Sequence, residues 1–445
     1  MNTPIVDYVK QYNEQQMTRV HMPGHKGRQF LGCEANDITE IKGADALYEA
    51  EGIIHESEKN AASLFGSSRT LYATEGSSQC IRAMLYLAVM SYQGEGRPIV
   101  LAARNVHKSF VQAAALVDVD VEWIFPEGDM HSICSCIVNA KQLEEHLQAM
   151  EVKPVAVYLT TPDYLGGVLE LQTIADICHK YEVLLLVDNA HGAYLKFLEE
   201  SKHPMDLGVD ICCDSAHKTL PVLTGGAYLH LHHRVSHKMK KYAKNAMALF
   251  GSTSPSYLTL ASLDLCNKYL ADGYKVCLKE TIDKVEKLRE TLRMLGWQVE
   301  KTDPLKLTIT VPSDITGIVL AERLRRNHVE CEYADPRYVV CMFTPENSEE
   351  DYQRIVDALG ENVLEYRQLG PRTAIRCKKA ITIRNAIFAP HKTIPVEEAV
   401  GAICGSPTVA CPPAIPIVVS GEVISKEAVD TFIYYGINTV DVVEE

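Results

Sequence analysis

Lys218 lies in DSAHKTLP, residues 214–221, flanked by Ser215 and His217. A hydroxyl, an imidazole and an ammonium this close together suit an anionic ligand. An amine held in a partly dry site also gives up its proton more readily, because burial disfavours the charged form. A neutral lysine is a nucleophile toward carbonyls and can form a Schiff base. Taken alone, the stretch reads more simply as an exposed loop with a solvated lysine.

Two other stretches change that balance. Gly76, Ser77 and Ser78 stand just before Ile81, Met84, Leu85, Ala88, Val89 and Tyr92, which recur at helical spacing. They therefore fall at a helix N-terminus, where backbone N–H groups and the helix dipole favour phosphate. Plain serine capping is the alternative. Asp188-Asn189-Ala190-His191-Gly192 follows the apolar run VLLLV, residues 183–187. An aspartate there can be a helix cap or a buried acid at a strand end.

The elements that must position these groups are legible as alternation. Short apolar strands at 71–74, 98–103, 154–160, 183–187, 208–213 and 223–232 are separated by helices. Strands of that kind imply a mostly parallel sheet covered on both faces, an α/β fold. Ligands in such folds bind beyond the carboxyl ends of the strands. Asn105 and His107, Pro162 and Asp163, Asp188 and His191, and Ser215, His217 and Lys218 all fall at such ends. Later residues follow a different style. Strands at 305–311, 329–333 and 338–343 and helices at 315–327, 349–359, 395–404 and 425–436 predict a C-terminal α+β domain. The expected division is an N-terminal segment 1–40, a large domain 41–290 and an α+β domain 291–445.

A phosphate cradle, a lysine nucleophile and a strand-end aspartate are what pyridoxal phosphate (PLP) needs. Lys218 would carry its aldehyde. Asp188 would keep the pyridine nitrogen protonated so that the ring acts as an electron sink. His107 and His191 would lie above or beside the ring, although either, viewed alone, reads as a structural histidine. Gly76, Ser77, Ser78, Ser215 and His217 would hold the phosphate.

Composition excludes other classes. A chain of 445 residues with net charge −14 and no basic run is no nucleic-acid surface. No apolar run reaches the ~18 residues of a membrane helix. Fourteen scattered cysteines and a polar start without a signal peptide predict reduced thiols in the cytoplasm. Cys134–Cys136 and Cys212–Cys213 lack zinc spacing, and no metal is expected. His230, His232 and His233 read as a solvated or partner-facing strand edge.

The motifs HMPGHKGR (21–28), EGSS (75–78), RNVHKS (104–109), TTPDYLGG (160–167), VDNAHGAY (187–194), DSAHKTLP (214–221), STSPSYLTLASLD (252–264) and CPPAIP (411–416) with SGE (420–422) occur in this order. They resemble the ornithine/lysine/arginine decarboxylases of fold type I, the aspartate-aminotransferase-like fold, from about residue 4 to residue 424. The match is closest to the short Gram-positive-type members that lack the N-terminal wing. The resemblance implies Lys218 as the Schiff-base lysine, Asp188 as the pyridinium partner and His107 as the ring-stacking histidine. It implies Ser77, Ser78, Ser215 and His217 as phosphate ligands, with Ala190 and His191 in the cofactor motif. It implies that Ser252, Thr253 and Ser254 reach the phosphate of a partner subunit, in a homodimer or a tetramer of two dimers. The implied reaction is decarboxylation of lysine, arginine or ornithine to CO2 and a di- or polyamine. Asp163, Glu49, Glu51 and Glu422 are candidates for holding the substrate's distal cation.

Departures from the family pattern are Glu75 in place of the Asn of NGS or NGT, Gln79 in place of a small residue, and Cys411 and Ala414 in place of the Tyr and Gly of YPPGIP. Glu75 and Cys411 keep open a PLP-binding paralogue with little turnover, acting as a binding or regulatory protein; an aminotransferase or lyase on the same fold is a further alternative.

Overall fold

The computed structural model describes residues 1–126, 132–366, 374–407 and 413–444. Cys411 therefore lies outside the described residues. Seven strands, β1 (Arg69–Ala73), β2 (Ile99–Ala103), β3 (Asp120–Ile124), β4 (Ala156–Thr160), β5 (Leu184–Asp188), β6 (Ile211–Asp214) and β7 (Ala227–Leu231), form one sheet in the order β1-β7-β6-β5-β4-β2-β3. The pairs β5/β6 and β2/β3 are parallel, and β7 runs against both of its neighbours. This is the α/β fold type I sheet. Strands β1, β2, β4, β5 and β6 overlap the expected positions, with β6 starting at Ile211 rather than Gly208. The remaining expected strand, 223–232, shrinks to 227–231, because 223–226 turns through the glycine pair. β3 has no counterpart among the expected strands. Only Val121 and Ile124 of its five residues are buried, and Asp120 and Glu122 interrupt them, so there is no apolar run to read.

The chain divides into two compact units. One comprises residues 1–94, 155–159 and 171–276. In it, helix Gly76–Ser91 buries Cys80, Ile81, Met84, Leu85, Leu87 and Ala88. The N-terminal helix Pro4–Glu14 is pinned where the Ile5 and Val6 amides donate to Asp264 Oδ2 at 3.0 and 3.1 Å.

The other unit comprises residues 95–154, 160–170 and 277–445. Strands β8 (Gln298–Val299), β9 (Lys306–Thr310), β10 (Tyr333–Ala334) and β11 (Tyr338–Met342) form an antiparallel sheet in the order β10-β11-β9-β8. Its core gathers Leu288, Leu292, Trp297, Leu307, Ile309, Leu320, Leu324, Val339, Phe343 and Ile355. Strands β12 (His391–Pro395) and β13 (Thr439–Val443) pair antiparallel. The helix expected over 395–404 is absent. Pro395 ends β12, a single 3-10 turn covers Val396–Glu398, and the Cys404 and Gly405 amides bond across to Glu422 and Asp441. A helix would leave those cross-chain acceptors unmet.

One further expectation is corrected. His230 is no edge residue: β7 lies between β1 and β6, and His230 is fully buried. Only His232 and His233, beyond the strand, approach solvent. Among the described residues the cysteines are free thiols, and no helix is long and apolar enough to cross a membrane.

Candidate active site

β5 ends on Asp188 and β6 on Asp214, so the next residues of each strand emerge at one sheet edge. After β6 the chain makes a one-turn helix, Ala216–Thr219, rather than an open loop. That turn directs Lys218 toward the segment after β5, and Lys218 Nζ lies 3.0 Å from His191 Nε2. Lys218 is half-buried and His191 buried.

Asp188 is the second feature. It is buried, and its Oδ1 accepts from the Ala190 amide at 3.3 Å and the Cys213 thiol at 3.6 Å. Burial raises its pKa above the ordinary carboxyl range, and the charge of Lys218 opposes that rise, as do hydrogen bonds from Ala190, Cys213 and Tyr158. A buried carboxyl in this condition is suited to a cationic or N–H partner.

The third feature is the start of helix Gly76–Ser91, which follows β1. Ser215 Oγ donates to Ser77 Oγ at 2.8 Å, so the hydroxyls after β6 and β1 meet. The Gly76 amide bonds the Gly225 carbonyl at 2.7 Å. Gly225 has φ +95°, and a Cβ there would stand 2.6 Å from the Thr74 carbonyl oxygen, so only glycine allows this approach. A side-chain carbon at Gly76 would meet no atom within 4 Å, which leaves room over the helix start. The His217 amide and Nδ1 both bond the Gly226 carbonyl, at 3.2 and 3.0 Å. Ser78 lies in the first helical turn, half-buried.

An aldehyde-reactive amine, a buried acid and an anion-accepting helix start are thus gathered on one edge, and they fit PLP by the chemistry of their donors. Two departures are accommodated locally. The Glu75 carboxylate accepts the Ser252 amide. Gln79 is fully buried and donates to Tyr48 Oη at 2.8 Å and the Met247 carbonyl at 2.9 Å. Thr253 and Ser254 are exposed, and the Ser254 amide bonds Ser252 Oγ at 3.1 Å.

The remaining candidates, apart from Glu49 and Glu51, belong to the other unit. His107 caps helix Lys108–Val117, its Nδ1 accepting the Ser109 amide at 3.1 Å. Asp163 is buried and staples its own turn: its Oδ1 accepts the Gly167 amide at 2.8 Å, and a Cβ on Gly167 would strike its carboxylate at 2.6 Å. Glu422 lies 3.5 Å from Arg104 and accepts the Val419 amide at 2.8 Å. Both carboxyls are committed to the fold, whereas Glu49 and Glu51 are exposed. Ala414 has φ +58°, a left-handed conformation that the usual glycine would adopt without strain.

Several further buried residues pack around the site, none of them a site candidate in the sequence. Tyr158, Asn189, His203 and Asp214 are buried near Asp188 or Ser215. Asp214 directly precedes Ser215, but its partners come from distant segments.

The chain matches the family described as Orn/Lys/Arg decarboxylase, major domain, over residues 3–301. An arginine decarboxylase of Bacillus subtilis is 32% identical over 96% of this chain and 92% of the relative. An arginine decarboxylase of Bacillus anthracis is 29% identical over 96% and 91%. Among solved structures, lysine decarboxylase A of Pseudomonas aeruginosa superposes with TM-score 0.81 at 17% identity, covering 99% of this chain and 80% of that one. The Francisella novicida lysine decarboxylase gives 0.80 at 17%, covering 99% and 81%. The structural likeness fixes the fold, and the sequence match, which runs through the residues after β1, β5 and β6, fixes the kinship: the chain belongs to the Orn/Lys/Arg decarboxylase family of PLP-dependent amino-acid decarboxylases.

Proposed function

We propose that this protein removes the α-carboxylate of a basic amino acid, with arginine the first substrate to test, using bound PLP. The observation that carries the reading is the approach of Lys218 Nζ to His191 Nε2 at 3.0 Å, with the buried Asp188 at the end of β5. The names of the relatives aligned nearly end to end favour arginine among the basic amino acids.

When bound, the cofactor supplies a sink for the electron pair left as CO2 departs. Lys218 would hold it covalently. Asp188 would accept the proton-bearing ring nitrogen and keep that proton in place. The first turn of helix Gly76–Ser91, with Ser77, Ser78, Ser215 and His217, would carry the phosphate. After CO2 leaves, Cα needs one proton, and Lys218 Nζ can deliver it with His191 Nε2 as its hydrogen-bonded reservoir. Substrate carboxylate leaves as CO2 and one proton is taken up, so the product is the corresponding amine. The exposed Ser252–Ser254 turn suits completion of a second subunit's phosphate site in a homodimer. His107 is proposed to stack on the ring. Glu49 and Glu51, exposed and uncommitted to the core, are the better of the four candidates for the substrate's distal cation.

The test is CO2 release by the PLP-reconstituted protein with arginine, lysine and ornithine side by side, with keto-acid formation followed in parallel. CO2 from at least one of the three, fastest from arginine, is expected. Keto acid without CO2, or no turnover of any, would overturn the reading.

A further inference from the structure

Directly behind the cofactor end of the site lies a fully buried polar cluster. Asp214 Oδ1 accepts Asn189 Nδ2 at 2.7 Å. Its Oδ2 faces His203 Nε2 at 2.9 Å and His230 Nε2 at 3.2 Å. None of the four side chains is exposed to solvent. His203 Nδ1 accepts the Met205 amide at 3.2 Å, so its proton sits on Nε2 and points at the carboxylate. His230 Nδ1 lies 2.8 Å from Thr70 Oγ1, which in turn meets Ser67 Oγ at 2.7 Å. The ring of Phe65 closes the cluster, 4.5 Å from that of His230.

The Asn189 and His203 N–H groups donate to the carboxylate, and His230 Nε2 faces the same oxygen as His203 Nε2. An ionised carboxylate, an acceptor at both oxygens, suits these neighbours. Burial would raise the Asp214 pKa, but the two imidazoles bonded to it hold it well below the usual carboxyl range. His203, Asp214 and His230 bring ligand-type atoms within 4.8 Å of one another, yet a metal ion would need the His203 Nε2 that already carries a proton. The cluster is a hydrogen-bonded anchor.

What it anchors is informative. Asp214 is covalently followed by Ser215, and Asn189 is covalently preceded by Asp188. The Asn189 amide also bonds the Cys213 carbonyl at 2.9 Å. Among the described residues the buried Asn189 Oδ1 has no hydrogen-bond partner. The side chain is held by its bond to Asp214, where β5 and β6 both deliver site residues.

We propose that Asp214 is a positioning residue: gripped by His203 and His230, it fixes Asn189 and thereby sets the Asp188 carboxyl against the Ser215–Lys218 turn. This inference rests on the proposed PLP site. The anchor acts before any substrate arrives, so it is read in cofactor binding as well as in turnover. Loss of a group that orients a binding residue weakens affinity or rate by roughly tenfold or more.

The experiment titrates the apo-protein with PLP, following the visible band of the attached aldehyde, and measures kcat and KM. The variants are Asn189→Ala, Asp214→Asn and Thr70→Val, each with its melting temperature. Asn189→Ala and Asp214→Asn are expected to weaken PLP binding roughly tenfold and to lower kcat with KM unchanged. Thr70→Val, at the outer end of the cluster, leaves PLP affinity as it was. Should Asp214→Asn fail to fold, Asn189→Ala, which leaves Asp214 its two imidazoles, decides alone. Wild-type PLP affinity and kcat in Asn189→Ala overturn the inference. So does a loss shared equally by all three variants in step with their melting temperatures. A wild-type protein that attaches no PLP would instead fail the proposed function, and the two failures are told apart in the first titration.

Discussion

Lys306 and Lys218 are drawn out of water on opposite terms. Lys306, at the start of β9, is 1% exposed; its Nζ donates to the Asp163 carbonyl at 2.7 Å and lies 3.3 Å from Asp303 Oδ2. Its charge is committed to a turn and a carboxylate. Lys218 meets the imidazole of His191 at 3.0 Å, on a one-turn helix at the end of β6. A buried ammonium held by oxygen acceptors is structural, because removing it strands a buried anion. An amine whose hydrogen-bond partner is an imidazole can exchange its proton and react. The carboxyls divide in the same way. Asp264 accepts two backbone amides and the Ser57 hydroxyl, whereas Asp188 has one backbone amide and sits at the open sheet edge.

The largest effect expected from this contrast is at Lys218. Lys218→Ala should abolish both the visible band of bound PLP and CO2 release while the melting temperature stays within a few degrees of wild type. A surviving band would remove Lys218 from the site. Asp188→Ala comes next, with a loss of roughly 100- to 1,000-fold in kcat, of the size seen when a preorganised electrostatic partner is removed. Retained turnover in a steady-state assay would place Asp188 with the structural carboxyls. Lys306→Met inverts the pattern. It should cost about 3–5 kcal/mol in urea unfolding, because Asp303 is left buried and uncompensated. PLP binding by the folded fraction should persist, and a variant as stable as wild type would erase the distinction between the two lysines.

The smallest effect is a pH dependence at Asp264. Burial raises its pKa to about 6, against the opposing bonds from Ser57, Val6 and Ile5. In the unfolded chain it titrates near ~4. The fold therefore binds the proton more tightly, and this contribution is fully present below pH ~4 and lost as pH rises through about 6. Its ceiling is about 3 kcal/mol. Urea midpoints across that range should fall with rising pH in wild type and flatten in Asp264→Asn. Parallel slopes in the two proteins would refute the assignment.

Much of the site's scaffold was legible because it is local. The apolar runs before Asp188 and Asp214, and the helical spacing after Gly76–Ser78, placed these residues at strand and helix ends with no reference to the rest of the chain. The ordered motifs likewise pointed to the family that the comparisons bear out. β3 escaped because it is an outer strand whose charged residues Asp120 and Glu122 break up its apolar ones. The helix expected over 395–404 failed because Cys404 and Gly405 find their partners on Glu422 and Asp441. His230 looked like an edge residue because strand order cannot be read from one strand.

The sequence by itself determined which residues would stand at the ends of which elements, since periodicity and turn chemistry act over a few neighbouring residues. Tertiary structure alone decided what each buried charge would meet. Asp163 and Glu422 look like substrate carboxylates in the sequence, yet Asp163 staples its own turn with the Gly167 amide and Glu422 pairs with Arg104. Asp214 looks like an ordinary strand-end residue, yet it gathers polar partners from positions 189, 203 and 230. The physical reason is that desolvation and hydrogen bonding depend on distances between segments far apart in the chain, and those distances exist only once the sheet has closed over its helices.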